Sequence, residues 1–248
     1  MVERDHRAPV ASIFTDAGLS PGAEIALDDS ASHHVRVKRL ELGDVVRLLD
    51  GNGTVGTGSI VLVDRRSVSI TIERVETAAP QSPIHLRAPI ADRDRMLWLA
   101  EKATELGVTT WQAVRCRRSA SVSPRGEGSG FVDKIRTRMI GALEQSGGAW
   151  LPRILPDVSL DRLAVESEEL PILLDVGGQP LSTIMAGAGA QSPVILFGPE
   201  GGLEADEVRA LTSAGWHRAR LAATTLRFET AGLAAIAVCR NAQMITEI

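Results

Sequence analysis

The chain has 248 residues, 44% of them hydrophobic, and a formal net charge of −4. This length and composition predict a soluble globular protein of two modest domains. We find no apolar run long enough to span a bilayer and no apolar core of a signal peptide, so we expect a cytoplasmic location. The negative charge excludes a general nucleic-acid coat, but local basic patches can still act. The two cysteines, Cys116 and Cys239, lack a metal-ligand spacing, so we expect reduced thiols and no metal.

Two clusters of basic residues stand out against this acidic background. The first contains His33, His34, Arg36, Lys38 and Arg39, and the second contains Arg115, Arg117 and Arg118. Taken alone, each cluster favours a solvated charged surface over a binding site.

Residues 1–77 are predicted to form a small β domain. Four β-rich runs separated by turn signals cover 10–14, 44–49, 54–63 and 68–75. Residues 30–40 favour a short helix, which Asp28, Asp29 or Ser30 would cap and which carries the first basic cluster. The sequence Ala-Ala-Pro-Gln-Ser-Pro at 78–83 is typical of a linker and sets the domain boundary.

From residue 78 to 248 the pattern predicts an α/β domain with a mostly parallel sheet covered on both faces. Strands are predicted at 84–90, 109–114, 171–175, 193–197 and 218–222, and helical spacing occurs over 96–106 and 131–142. A loop rich in Ser, Pro and Gly covers 119–130. The last helix, 230–246, has little polar face, so we expect it to be buried on most sides.

Residues 51–56, Gly-Asn-Gly-Thr-Val-Gly, match the G-x-G-x-x-G pattern of dinucleotide sites. That fingerprint requires a helix after the glycines, yet the residues from 54 to 63 are rich in β-branched side chains. We therefore predict a hairpin turn here instead. A P-loop motif is also absent from the sequence, so nucleotide hydrolysis has no support.

Two other segments are candidates for a ligand site. Residues 197–203, Phe-Gly-Pro-Glu-Gly-Gly-Leu, join an apolar strand to a helix, and their glycines would let a ligand approach the backbone. Acidic residues follow in the first helical turn and would repel a phosphate, so we expect a ligand without a phosphate anchor. Residues 221–231 place Arg227 and Glu229 at the mouth of an apolar helix, where charges are costly unless paired or used. An ordinary turn and a helix-capping salt bridge remain open as structural alternatives.

Together, Gly-Pro-Glu-Gly-Gly at 198–202 and Leu-Arg-Phe-Glu-Thr-Ala at 226–231 resemble the C-terminal signatures of the 16S (small-subunit) ribosomal RNA (uracil-N3) methyltransferases, a family of the SPOUT superfamily. The resemblance extends to Glu-Lys-Ala-Thr-Glu-Leu-Gly-Val at 101–108, Glu-Gln-Ser-Gly at 144–147 and His33-His34, and so covers essentially the whole chain. It implies a PUA-like β-barrel followed by a SPOUT α/β methyltransferase domain with a C-terminal trefoil knot. It also implies a homodimer that uses S-adenosylmethionine.

The resemblance further implies roles for individual residues. Arg227 and Glu229 would border the substrate, with Arg227 orienting it or stabilising charge and Glu229 accepting a proton or fixing Arg227. The implied cofactor-binding residues are Leu174, Phe197, Gly198, Pro199, Glu200, Gly201, Leu221, Leu226 and Thr230. The implied RNA-binding residues are His33, Arg36, Lys38, Arg39, Arg115, Arg117 and Arg118.

The activity implied by this resemblance is methylation of N3 of a specific uridine in 16S ribosomal RNA. One alternative is a ribose 2′-O methyltransferase of the same superfamily, but the Asn-x-Gly-x-x-Arg segment of those relatives is absent from residues 84–108. The other alternative is an RNA-binding adaptor that has lost the cofactor. The intact glycine and Arg-Phe-Glu-Thr turns disfavour such decay.

Overall fold

A computed structural model of the chain describes residues 8–64, 67–121 and 124–246. These residues divide into two compact units. The first runs through Pro80 and also includes Leu143–Leu151, while the second comprises Gln81–Ala142 and the chain from Pro152 onward. The return of residues 143–151 to the first unit was not anticipated from the sequence. Across these described ranges, no helix has both the length and the apolar character needed to cross a membrane.

The first unit is built on a five-stranded sheet with the strand order β1-β3-β4-β5-β2. The strands are β1 (Ala11–Phe14), β2 (Glu24–Ala26), β3 (Val45–Leu49), β4 (Thr54–Val63) and β5 (Val68–Thr77). β1 pairs with β3 in parallel, and the other neighbours are antiparallel. Helix α1 (Asp29–Val37) begins after Asp28, whose carboxylate accepts the backbone N–H of Ala31 at 2.7 Å. This cap is one of the three that the sequence predicted.

The glycines at 51 and 53 lie in the hairpin turn between β3 and β4, as predicted. Both adopt positive φ, +73° and +91°. The Asp50 carboxylate accepts the backbone N–H groups of Asn52 and Thr54 at 2.7 and 2.9 Å, which closes the turn. Strand β4 follows at once, so no helix start is available to bind a phosphate.

The second unit contains a six-stranded sheet in which all neighbouring strands are parallel, with the order β11-β9-β10-β6-β7-β8. The strands are β6 (His85–Pro89), β7 (Thr110–Arg115), β8 (Arg153–Ser159), β9 (Glu169–Pro180), β10 (Ser192–Leu196) and β11 (His217–Arg220). The helices are α2 (Arg93–Glu105), α3 (Ser129–Ser146, whose residues from Leu143 onward belong to the first unit), α4 (Leu181–Ala186), α5 (Ala205–Ser213) and α6 (Phe228–Thr246). Two 3-10 helices cover Arg117–Ser121 and Leu160–Arg162. The α/β prediction is confirmed, although β8 and α4 were not foreseen.

The strand order determines where a ligand site can form. β6, the first strand of this sheet, lies inside it, and β7 and β8 follow on one side, where β8 forms the edge. The chain then crosses to the other side to form β9, and β10 lies between β9 and β6. Because the strands are parallel, the segments that follow β9, β10 and β11 leave from the same edge of the sheet. Those segments contain both turns that the sequence singled out.

Helix α6 packs one face into the second unit, against α2, α4 and β10. Its residues Phe228, Ala235, Ile236 and Cys239 are buried on that face. On the other side Ala237 is exposed, and near the end Met244 and Ile245 are 58% and 67% exposed. The exposed positions of α6 are 230, 237, 241, 244 and 245, a narrow stripe and the last turn, so the prediction of burial on most sides is confirmed in part.

Candidate functional site

A cavity of about 520 Å³ opens at the carboxyl edge of the parallel sheet. Its walls come from the middle of β9, from the segment that follows β10, and from the end of β11 and the segment that follows it, with one residue from α2. The lining residues lie at 95, 173–176, 197–200, 202–203, 208, 219–222, 224–228 and 231. The two turns that the sequence predicted to form a ligand site thus share one cavity.

Most of the predicted cofactor residues line this cavity. They are Leu174, Phe197, Gly198, Pro199, Glu200, Leu221 and Leu226. Gly201 and Thr230 belong to the same segments but do not line it. Of the pair predicted to act on the substrate, Arg227 lines the cavity and Glu229 does not.

The glycine turn after β10 folds back on itself. The Gly202 amide donates to the Pro199 carbonyl at 2.7 Å, and Gly202 has a φ of +74°, which favours glycine. A Cβ atom on Gly198 would lie 3.0 Å from Gly202 Cα and from the Leu203 nitrogen, so a side chain there would push the turn apart. The glycines are thus required by the close backbone approach within the turn itself.

Two carboxylates fix this turn to its neighbours. Glu200 Oε1 accepts the backbone N–H of Asp92, just before α2, at 3.0 Å. At the start of α5, the buried Glu207 accepts the Glu204 amide at 2.8 Å and the Arg117 amide at 2.9 Å. The turn is therefore held on one side by α2 and on the other by the segment after β7.

The arginines at 117 and 118, predicted to bind RNA, hold the glycine turn from outside. Arg118 Nη1 donates to the Gly201 carbonyl at 2.7 Å. Arg117 Nη1 donates to Glu204 at 2.9 Å and also contacts the Asp206 carboxylate. These bonds hold the pKa of Asp206 below its usual range and raise the pKa of Arg117. The acidic first turn of α5 thus neutralises a basic segment.

Arg115, the third arginine of that cluster, is also paired. Its Nη2 atom lies 3.2 Å from a Glu127 carboxylate oxygen, and Arg125 donates to the same carboxylate at 2.7 Å. Arg125 first and Arg115 second lower the pKa of Glu127. Arg115 is not among the cavity residues.

Asp175 lies in the middle of β9, at the cavity wall, and pairs with an arginine on β11. Arg218 donates through Nη2 and Nε to the two carboxylate oxygens at 2.9 and 3.2 Å, and the Gly177 amide adds a third bond at 2.7 Å. This pairing lowers the pKa of Asp175 and raises that of Arg218. The carboxylate therefore serves to hold the wall between the two strands, because its oxygens are already occupied.

Sequence reasoning missed Arg95, which reaches the cavity from the first turn of α2. Its Nη1 atom lies 3.4 Å from Glu229 Oε2, so Glu229 pairs with Arg95 rather than with Arg227. A cation at a helix N-terminus is disfavoured by the helix dipole, so an arginine in the first turn of α2 could have been recognised from the sequence as a residue that needs an anionic partner or a ligand. The two residues are 134 positions apart in the chain, so their pairing was not readable from spacing.

The predicted RNA-binding residues of the first unit lie on and just after α1. His33, Lys38 and Arg39 are exposed, while Arg36 is partly buried and its Nε donates to the Asp64 carbonyl at 3.4 Å. Within the described chain none of these four side chains has a carboxylate partner. The positive charges of Arg36, Lys38 and Arg39 are therefore available to solvent, whereas His34 of the same cluster lies 3.1 Å from a Glu144 carboxylate oxygen.

Comparisons with known proteins agree with this architecture. Residues 77–240 match the family model described as an RNA methyltransferase domain, and residues 27–73 match an RNA methyltransferase PUA domain. The chain is 28% identical to ribosomal RNA small subunit methyltransferase E of Mycobacterium bovis, over 90% of this chain and 88% of that protein. It is also 28% identical to the enzyme of the same name from Aquifex aeolicus, over 89% and 95% of the two chains.

A solved structure gives the same relationship. The crystal structure of a ribosomal RNA small subunit methyltransferase E from Neisseria gonorrhoeae, bound to S-adenosyl methionine, matches with a TM-score of 0.82 at 28% identity, covering 93% of this chain and 97% of that one. The first unit is accordingly a PUA-like domain and the second has the SPOUT methyltransferase fold. With the family model spanning well over half of the chain, this protein belongs to the RNA methyltransferase family.

Proposed function

We propose that this protein transfers a methyl group from S-adenosylmethionine to N3 of a uridine in the 16S RNA of the small ribosomal subunit. The observation that carries the proposal is the convergence of the glycine turn and the Leu226–Phe228 segment on one cavity of an RNA methyltransferase fold. Relatives named for small-subunit ribosomal RNA methylation align along nearly the whole chain, which supports the substrate class.

The cavity suits this cofactor in size and chemistry. A volume of about 520 Å³ lies within the range of small-molecule sites. Leu174, Leu221 and Leu226 offer apolar surface for the adenine ring, and exposed backbone groups of the glycine turn can bond its edge. The carboxylate of Glu200, which is in the cavity lining, favours a cationic ligand over a phosphate. Gly201 and Thr230 would act indirectly, by framing these lining segments.

When bound, the cofactor supplies an electrophilic methyl group. The protein's own contribution is to align the two reactants, which can lower a barrier by roughly 7–11 kcal/mol in favourable cases. Uracil N3 carries a proton, so negative charge develops on the base as that proton leaves. Arg95 and Arg227, in the cavity wall, border the place where the base would enter, and Glu229 contacts Arg95 at 3.4 Å without lining the cavity. The base must leave its stack to reach them.

The remaining parts of the proposal concern partners. His33, Arg36, Lys38 and Arg39 form a basic surface that can contact RNA phosphates, and none of them has a carboxylate partner among the described residues. The exposed apolar side of α6 is suited to pairing with α6 of a second copy, which would form a homodimer. We place the protein in the cytoplasm, where its ribosomal substrate is assembled.

The decisive experiment incubates the protein with isotopically labelled cofactor and with small subunits that lack the modification, and maps the methyl group by mass spectrometry. We expect label on a uracil base, together with saturable binding of S-adenosylmethionine in calorimetry. Label on a ribose would support a 2′-O activity instead. Absence of saturable binding would support an adaptor.

A further inference from the structure

Arg95 is a cation built into the cavity wall at the start of α2. Its amide donates to the Asp92 carboxylate at 3.2 Å, and the Asp92 amide in turn donates to Glu200 at 3.0 Å. The first turn of α2 is therefore tied to the glycine turn. Its side chain is 38% exposed, which leaves it in contact with both protein and cavity.

This position is unfavourable for an isolated arginine. The N-terminus of a helix carries partial positive charge, so a cation there loses stability unless an anion compensates. Glu229 provides that anion, with Oε2 at 3.4 Å from Arg95 Nη1. Glu229 itself lies in the first turn of α6, where its negative charge is favourable. The ion pair thus lets a cation remain where the helix dipole alone would disfavour it.

The two residues of this ion pair differ in their position relative to the cavity. Arg95 is among its lining residues and Glu229 is not. A general base must come within hydrogen-bond reach of the proton that it removes. In this geometry the side chain that lines the cavity is the arginine, and the carboxylate contacts that arginine without lining the cavity.

We propose that Arg95 is a catalytic cation that stabilises the negative charge developing on the target uracil, and that Glu229 is a positioning residue that acts through Arg95. This inference rests on the proposed function. The N3–CH₃ bond forms as the S–CH₃ bond breaks, the sulfonium becomes a neutral thioether by taking the bonding electron pair, and the N3 proton passes to water. As the proton leaves, negative charge spreads onto O2 and O4, the exocyclic carbonyl oxygens beside N3, and a guanidinium can donate hydrogen bonds to one of them while N3 stays open to the methyl group.

Arg227 offers a useful contrast in the same cavity. It lines the wall, but in the described part of the chain its side chain has no ion pair. Electrostatic catalysis depends on a donor that is already oriented before the reaction begins. Arg95 meets that condition through its helix position and Glu229, so we assign the charge-stabilising role to Arg95 and leave Arg227 to orient the RNA.

The test measures single-turnover methyl transfer as a function of pH for the wild type, Arg95→Ala, Arg95→Lys, Glu229→Gln and the Arg95→Ala/Glu229→Gln double variant. We expect Arg95→Ala to slow transfer by about a hundredfold or more, the scale of losing one oriented donor. Glu229→Gln should slow it by roughly tenfold, and the double variant should be no slower than Arg95→Ala. Calorimetry with S-adenosylmethionine should give affinities within about threefold of the wild type.

The pH profile separates this role from simple scaffolding. If Arg95 stabilises the deprotonated base, the deficit of Arg95→Ala should shrink as rising pH removes the N3 proton in solution. RNA containing 5-fluorouridine, whose N3 is more acidic, should likewise recover part of the lost rate. Arg93→Ala is the matched control, because Arg93 lies in the same helical turn but stacks on Phe131, 5.6 Å from the ring centre, and does not line the cavity.

Additive losses in the double variant would overturn the inference, and so would a Glu229→Gln variant far slower than Arg95→Ala. If Arg95→Ala does not fold, Arg95→Lys replaces it in the test, because lysine keeps the positive charge but lacks the planar guanidinium that donates paired hydrogen bonds. An Arg95→Lys variant with the wild-type rate at neutral pH would also overturn the inference. A wild type that methylates no uracil nitrogen overturns the proposed function itself. Normal wild-type methylation with additive losses overturns only the assignment of Arg95.

Discussion

The basic residues of α1 and the arginines at 115–118 differ in what surrounds them. On and beside α1, His33, Lys38 and Arg39 face solvent without a carboxylate partner in the described chain. In the second cluster each arginine has at least one, and the partners are Glu127, Glu204 and Asp206. Similar residue types therefore produce a positive surface in one place and an almost neutral one in the other.

The difference shows that the charge available to RNA depends on tertiary pairing. The partners of Arg117 lie 87 and 89 positions away in sequence, at the start of α5. There the acidic side chains compensate the positive end of the helix dipole and also pair with the arginines. We therefore expect the two clusters to serve different ligands, with α1 contacting RNA and the second cluster supporting the cofactor turn.

Removing the charges of α1 is the strongest test of this division. The triple variant Arg36→Ala/Lys38→Ala/Arg39→Ala should weaken binding to the RNA substrate by roughly tenfold or more at physiological salt, because these charges neutralise phosphates. The slope of log affinity against log salt should fall by about 2, at about 0.7 for each lost single-strand phosphate contact. Fluorescence anisotropy at several salt concentrations measures both quantities.

The matched control is Arg115→Ala/Arg117→Ala/Arg118→Ala, which removes the same number of charges. If the two triple variants change the salt slope equally, both clusters contribute equally to RNA binding, and pairing with carboxylates does not distinguish them. Circular dichroism should establish that both variants are folded before binding is compared.

A smaller effect is expected when the support of the glycine turn is removed. Arg118→Ala loses the 2.7 Å bond to the Gly201 carbonyl, so the turn is less well oriented for the cofactor. We expect roughly threefold to tenfold weaker binding of S-adenosylmethionine in calorimetry, a modest change because the arginine is half exposed. RNA affinity should remain near that of the wild type.

Arg115→Ala is the control for this experiment, since Arg115 pairs with Glu127 and does not contact the glycine turn. It should leave cofactor affinity unchanged. An Arg118→Ala variant with full cofactor affinity and reduced RNA affinity would instead support the RNA-binding role that the sequence suggested.

Several features of the site were predictable from the sequence. The glycine turn at 197–203 follows an apolar strand and precedes a capped helix, and each of these signals is local. The hairpin at Asp50–Gly53 was predictable for the same reason, because Asp, Asn and Gly specify their own turn.

Other features depend on contacts between distant segments. The Arg95–Glu229 and Arg118–Gly201 contacts join residues that no periodicity relates. Strand β8 (Arg153–Ser159) lies at the sheet edge and contains a proline, so it lacked the apolar run of a central strand. Threading of the chain into a knot leaves no trace in hydrophobic pattern, and the trefoil knot stays a prediction from family resemblance.

The smallest effect that we predict is a gain of positive charge in the second cluster on acidification. Hydrogen bonds from Arg125 and Arg115 lower the pKa of Glu127, and a bond from Arg117 lowers the pKa of Asp206. A carboxyl group with a lowered pKa keeps its pairing below the usual carboxyl range and loses it only as the pH falls through the lowered value. In the α1 triple variant with His33→Ala added, which removes the exposed histidine that titrates in this range, RNA affinity should therefore stay constant from neutral pH to about pH 5 and rise only below about pH 4.

Replacing the carboxylates with neutral amides tests this effect at neutral pH, where acid unfolding does not contribute. Adding Glu204→Gln and Asp206→Asn to the α1 triple variant should raise RNA affinity at neutral pH by roughly twofold to threefold, because Arg117 loses its charged partners while its own charge remains. If these substitutions leave RNA affinity unchanged at low salt, neutralisation by α5 does not limit the second cluster. In that event, the distance of those arginines from the RNA path, and not their pairing, would explain why they contribute little.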